Sequence, residues 1–196
     1  MQVRKVPLAL TEEALALLAV TYADFAQLDP PRQQAGRIDF VGSLGAYDFG
    51  RIRLESTYLR LISIVEAYVD SMCSNLFRRH LVDQVPVLRA LITAAETQAS
   101  INWKERKSAF SDYHGVSLGS CKRWSELDAG IDIRNTIAHG LGTLTKRQRN
   151  DKSRNKMKTV GAVIVDDRLM LNDNALERCL VFTREFVKSV DSKLER

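Results

Sequence analysis

Apolar positions recur at helical spacing along most of the chain. Between Arg51 and about Phe77, the residues Leu54, Tyr58, Leu61, Ile62, Val65, Tyr68, Val69, Met72 and Leu76 mark one broad face, with Ile64 on its flank. Glu55, Arg60, Glu66 and Asp70 fall mostly off that face. The pattern predicts a long amphipathic helix at the centre of the core. Ahead of it, Leu15, Leu18, Ala19, Tyr22, Phe25 and Ala26 predict a first helix. Thr11 suits its N-cap, Glu12 and Glu13 suit the positive end of its dipole, and Pro30-Pro31 ends it. From Arg32 to Gly50 the period is lost among Gly36, Gly42, Gly45 and Gly50, and the stretch reads as an irregular linker.

Beyond the long helix, Asp83 suits a cap and Pro86 the first turn of a helix running through Val87, Leu88, Leu91 and Ile92 to about Thr97. Ser100 suits the cap of another, with Trp103 and Phe110 on one face and Gly115 just past its end. A further helix carries Trp124, Leu127, Ile131 and Ala138 as an inward stripe and Ile133 and Ile137 as a second one. Two stripes imply two buried surfaces, such as a core and a subunit interface. Val160–Val165 and Arg168–Leu171 alternate around Asp166-Asp167 as a short hairpin would. Asn172 or Asp173 then caps a last helix with Leu176, Leu180, Val181, Phe182, Val187, Val190 and Leu194 inward. The expected fold is all-α: a helical bundle of four main helices plus an N-terminal helix, with at most one short β-hairpin. Residues 1–49 read as an N-terminal helix and linker packed on a main domain of residues 50–196.

At 196 residues the chain can bury about two-thirds of its unfolded surface, so it needs neither disulfides nor metal to fold. With 45% hydrophobic and 27% charged residues it has the balance of a globular protein. No apolar run approaches the ~20 residues of a membrane span, and the first residues lack the core of a signal peptide. Cys73, Cys121 and Cys179 are widely spaced and odd in number, which reads as three buried free thiols in a reducing cytoplasm. The net charge of +5 is uneven. Lys146, Arg147, Arg149, Lys152, Arg154, Lys156 and Lys158 stand against the single acid Asp151, and they hold the whole positive excess. Such a cluster suits a polyanion such as RNA, although a basic loop is more often simply solvated.

The densest chemistry lies in Asp132-Ile133-Arg134-Asn135-Thr136-Ile137-Ala138-His139-Gly140. Arginine can hold two phosphate oxygens, histidine can exchange a proton near neutral pH, and an amide can orient either. The last turn of a helix also favours a cation, and Gly140 leaves the backbone open beside it. Five residues at about 100° per residue set Arg134 and His139 roughly 140° apart, so one helix splays them. Two copies about a two-fold axis would bring both pairs to one cleft. Taken alone, each residue has a plainer role: Arg134 and His139 as a helix-end pair, Asn135 as a surface amide, Gly140 as a terminator. His80 and His114 read as surface or helix-end residues. Trp103, Trp124, Tyr58 and Tyr68 read as core.

The segment Arg134-Asn135-Thr136-Ile137-Ala138-His139-Gly140 resembles the R-x4-H signature of the HEPN superfamily in its R-N-x-x-x-H-G form. The helix with Glu55, Tyr58, Leu59, Arg60, Glu66 and Ala67, the Trp103 helix and Trp124 ahead of the signature look like the RiboL-PSP-HEPN branch. The likeness spans roughly residues 50 to 195. It implies a helical bundle that dimerises into a composite site and cleaves RNA without metal or other cofactor. Arg134 and His139 would be its catalytic pair, with Asn135 beside them. Glu66 would orient one of the two, its plain alternative being a solvent-facing acid. The 2′-hydroxyl would attack the adjacent phosphate to leave a 2′,3′-cyclic phosphate. Toxin or phage-defence roles, with an antitoxin or defence partner, are implied in the same way. Where some members carry a modifiable tyrosine two residues after the histidine, this chain has Leu141. The competing expectation is a non-catalytic module that binds a partner protein, nucleotide or RNA.

Overall fold

The computed structural model describes residues 8–27, 38–39, 46–79, 81 and 85–194. Its elements run α1 (Ala9–Gln27), β1 (Ile38–Asp39), β2 (Ala46–Tyr47), α2 (Phe49–Arg78), α3 (Pro86–Ala99) and α4 (Trp103–His114). A single 3-10 turn at Leu118–Ser120 follows. Then come α5 (Trp124–Gly140), α6 (Asp151–Lys158), the strands β3 (Val163–Val165) and β4 (Arg168–Met170), and α7 (Asp173–Leu194). The fold is all-α, with two small antiparallel ladders, β1–β2 and β3–β4. The hairpin expected around Asp166-Asp167 is the second of these, with Ile164 paired to Leu169. Asp166 and Asp167 both take positive φ at its tip, as a two-residue hairpin turn requires. The ladder of Ile38–Asp39 with Ala46–Tyr47 lies where only an irregular linker was expected. The expected Asp83 cap, the Pro30-Pro31 stop and His80 fall outside the described residues.

The long central helix α2 forms as its pattern predicts. Leu54, Tyr58, Leu61, Ile62, Val65, Tyr68, Val69 and Met72 are all buried. Asp48 caps its start by accepting from the Arg51 N–H at 3.0 Å. Helices α1, α5 and α7 close around it. In α5, Gly130 decides how near they come: a β-carbon there would stand 2.9 Å from Phe182 of α7 and 3.0 Å from Ile62 of α2. Glycine therefore lets three helices meet at one point where a larger residue would force Phe182 or Ile62 to shift.

Several local expectations change. Thr11 does not cap α1; it lies inside the helix, fully buried, and donates its hydroxyl to Asp191 Oδ1 at 2.6 Å. The Leu8 N–H reaches the same oxygen at 3.1 Å, so α1 is fastened to α7 through a buried carboxylate. Ser100 ends α3, and the cap of α4 is Asn102. Asn172 caps α7, accepting from the Ala175 N–H at 2.9 Å. Ala138 and Val181, expected inward, are exposed, while Ile131, Ile133 and Ile137 are all buried within the one core. The apolar residues of α3 face outward, with Val87, Leu88 and Leu91 exposed. His114 is a helix-end residue, the last of α4, and it is half-buried, its ring meeting Phe77 edge-on at 4.7 Å. Cys73, Cys121 and Cys179 are buried free thiols, as read. Among the described residues no helix is long and apolar enough to cross a membrane.

Candidate functional site

Helix α5 carries the candidate chemistry because its inner face is fixed. Leu127, Ala129, Gly130, Ile131, Ile133, Thr136 and Ile137 are buried. Asp132, Arg134 and Asn135 are left at the edges of that face, and His139 stands exposed in the last turn.

Arg134 is held by two neighbours. Its Nη1 donates to Asn135 Oδ1 at 3.0 Å, and its Nη2 stands 3.7 Å from Glu66 Oε2 on α2. The other Glu66 oxygen accepts from Trp103 Nε1 at 2.9 Å. Glu66 is therefore not a solvent-facing acid; it ties the α4 indole to the α5 guanidinium. Trp103 in turn meets Trp124 at 5.6 Å between ring centroids and lies under Arg106. Arg106 grips Asp70 with two bonds of 2.7 and 2.8 Å. Burial pulls the Arg106 pKa down, but the Asp70 carboxylate outweighs it and the net direction is up. Glu66, Arg134 and Asn135 share a cleft of about 450 Å³ with Ile101, Asn102, Trp103 and Lys104.

His139 lies apart from this group. Within one chain it has no hydrogen bond or ion pair to any described residue, and Asn135, four residues earlier, turns to Arg134 instead. The splaying expected from helical geometry is what the monomer has. The terminator is also displaced by one or two residues. Gly140 is the last helical residue, and the left-handed positions are Leu141 (φ 48°) and Gly142 (φ 81°). The Gly142 N–H closes the helix onto Thr136 O at 3.2 Å. Arg51 at the start of α2 reaches the Leu141 carbonyl at 3.5 Å and bonds Glu55 at 2.6 Å. The turn behind His139 is thus braced by α2.

The basic cluster is not a loop throughout. Asn150 caps α6 by accepting from the Ser153 N–H at 2.9 Å, and Lys152 to Lys158 belong to that helix. Three of its cations have carboxylate partners. Lys156 Nζ stands 2.6 Å from both Asp128 and Asp132 on α5. Arg154 pairs with Asp167, and Arg149 lies 3.4 Å from the same residue. Lys146, Arg147, Lys152 and Lys158 are exposed and have no carboxylate partner among the described residues. Gln148 adds an internal tie, its Nε2 donating to Asp132 O at 3.0 Å.

Sequence reasoning missed the Trp103–Glu66 bond, the Asn102 amide, Ile101 and the Arg51 brace. Trp103 and Asn102 had a local signal in their place at a helix start, but their neighbours on α2 and α5 are distant in sequence. Among the described residues no group of three or more His, Cys, Asp or Glu side chains is placed to hold a metal ion. The chain matches no protein-family model, no curated protein and no solved structure.

Proposed function

We propose that this chain is an endoribonuclease whose catalytic groups are Arg134 and His139, with Asn135 beside them. The observation that carries the reading is the fate of α5: its inner face is buried, yet Arg134 and His139 remain accessible. Arg134 is also aimed by Glu66 and Asn135. The resemblance to the HEPN signature supports it. In this reading Arg134 neutralises the phosphate while a histidine takes the 2′-hydroxyl proton. The 2′-oxygen bonds to phosphorus, the bond to the 5′-oxygen breaks, and a second histidine protonates that leaving oxygen. The products are a 2′,3′-cyclic phosphate and a 5′-hydroxyl. One chain supplies one such histidine, so the reading calls for a homodimer in which two copies of α5 face a shared cleft. The exposed cations Lys146, Arg147, Lys152 and Lys158 would hold flanking RNA. A toxin or phage-defence role in the cytoplasm, with an antitoxin or defence partner, belongs to the same proposal.

His139→Ala and Arg134→Ala should each lower RNA cleavage in the presence of chelator by about 100- to 10,000-fold with melting unchanged. Wild-type rates in either variant would sink the reading. A second reading, a non-catalytic module that binds a partner protein, nucleotide or RNA, is favoured by one observation. The Arg134 guanidinium already has two partners within the chain, and His139 has none among the described residues. It predicts RNA or partner binding with no cutting by the wild type, and no growth arrest when the wild type is expressed in a bacterium.

A further inference from the structure

The cleft beside Arg134 presents mainly hydrogen-bond donors, and both of its amides are fixed in orientation. Asn102 Oδ1 accepts from the backbone N–H groups of Lys104 and Glu105 at 2.9 and 3.0 Å. Its oxygen therefore faces the start of α4, and its NH2 group is the end left over. Asn135 Oδ1 accepts from Arg134, and a guanidinium only donates, so the Asn135 NH2 group is likewise the outward end. Neither NH2 group has a protein partner among the described residues. Lys104, exposed, adds an ammonium. Glu66, the acidic acceptor here, already has Trp103 on one oxygen and Arg134 facing the other.

The cleft also has apolar ground. Ile101 is 62% exposed at its mouth, next to the half-buried Trp103. Its volume of about 450 Å³ suits a small organic ligand. A bare phosphate would use the donors but not Ile101. The N–H groups at the α4 start, the usual anion binders, are already taken by Asn102.

We infer that this cleft is a nucleobase subsite selecting keto bases, guanine or uracil. The inference rests on the ribonuclease reading and adds base selection to it. Guanine offers two adjacent acceptors, N7 and O6, and uracil offers carbonyl oxygens. Adenine and cytosine set an amino donor at the corresponding edge. There it would face the Asn102 and Asn135 NH2 groups, donor against donor, and leave these groups without acceptors. The base lies over Ile101 while Arg134 holds its phosphate.

Trp103 lines the cleft and packs against Trp124, the other tryptophan of the chain, so intrinsic emission reports the occupancy of the cleft. The full-length protein is titrated with GMP, UMP, AMP, CMP and ribose 5-phosphate. GMP and UMP should bind about ten-fold more tightly than AMP and CMP, with ribose 5-phosphate weakest. Equal affinities for all four nucleotides, or ribose 5-phosphate binding as well as GMP, overturn the inference. Asn102→Ser keeps a capping oxygen and removes the NH2 group, so the keto preference should fall toward one with melting unchanged; an unchanged preference overturns it. Ile101→Glu alters an exposed position and should weaken all four nucleotides about ten-fold; unaltered binding also counts against the subsite. Emission does not depend on cutting. A wild type that selects GMP but never cleaves RNA overturns the ribonuclease reading alone. One that cleaves with no base selection overturns the subsite alone.

Discussion

Arg134 Nη2 stands 3.7 Å from Glu66 Oε2, and this pair joins the candidate site to the central helix. Its side chains are 31% and 18% exposed, so water screens the attraction and it adds less than about 1 kcal/mol to stability. Its consequence is placement. Glu66→Gln keeps an oxygen for the Trp103 indole and removes the charge that faces Arg134. The variant should melt like the wild type and cleave RNA about ten- to a hundred-fold more slowly, mainly in kcat. Steady-state kinetics beside a thermal melt check this, and an unchanged kcat would show that Glu66 does not position Arg134.

The cations between Lys146 and Lys158 should divide into two classes. Neutralising Lys146, Arg147, Lys152 and Lys158 together should weaken RNA binding and lower the salt slope of log affinity by about 0.7 per lost phosphate contact. Folding stability should not change, since none of them has a carboxylate partner among the described residues. Replacing Arg149, Arg154 and Lys156 should instead lower stability, because the replacements strand Asp128, Asp132 and Asp167. Filter binding over a salt series and urea melts separate the two sets.

Lys156 should make part of the stability depend on alkaline pH. Burial pulls its pKa down, but Asp128 and Asp132 outweigh this and raise it above the ordinary 10.5. A raised folded-state pKa means that the contribution is complete below the unfolded value and fades as pH rises through the folded one. The stability difference between wild type and Lys156→Met should therefore be constant from neutral pH to about 9, near 1 kcal/mol, and shrink above about 10.5. Urea melts across that range measure it; a difference that persists at the alkaline end would exclude the ion pairs as its source.

The two glycines after His139 should respond oppositely. Gly142 has φ 81°, and a β-carbon there would collide with the Arg51 guanidinium. Gly142→Ala should cost about 1–2 kcal/mol in backbone strain and release the Arg51 brace on the turn. Gly140 is helical and a β-carbon there meets nothing within 4 Å. Gly140→Ala should hold or raise stability by about 0.4–1 kcal/mol. Loss of cleavage in that well-folded variant would show that RNA passes close to the backbone beside His139; full activity would place the RNA path elsewhere.

The sequence by itself determined the helices other than α6, and which face of most of them turns inward. Helical period and capping chemistry are local, so α2 and the inner face of α5 could be read from spacing alone. It also determined that Arg134 and His139 diverge around one helix, a matter of 100° per residue. Long-range contacts decided the rest. Seven clustered cations look alike in sequence, but only the packing of α6 on α5 and the hairpin sets Lys156 against Asp128 and Asp132, and Arg154 against Asp167. Glu66 was an acid with two plausible fates until Trp103, 37 residues away, met one of its oxygens. Gly140 looked like the helix terminator until Leu141 and Gly142 took the left-handed positions. In each case a side chain's partner depends on which distant segments the core brings together. Spacing along one helix carries no record of that.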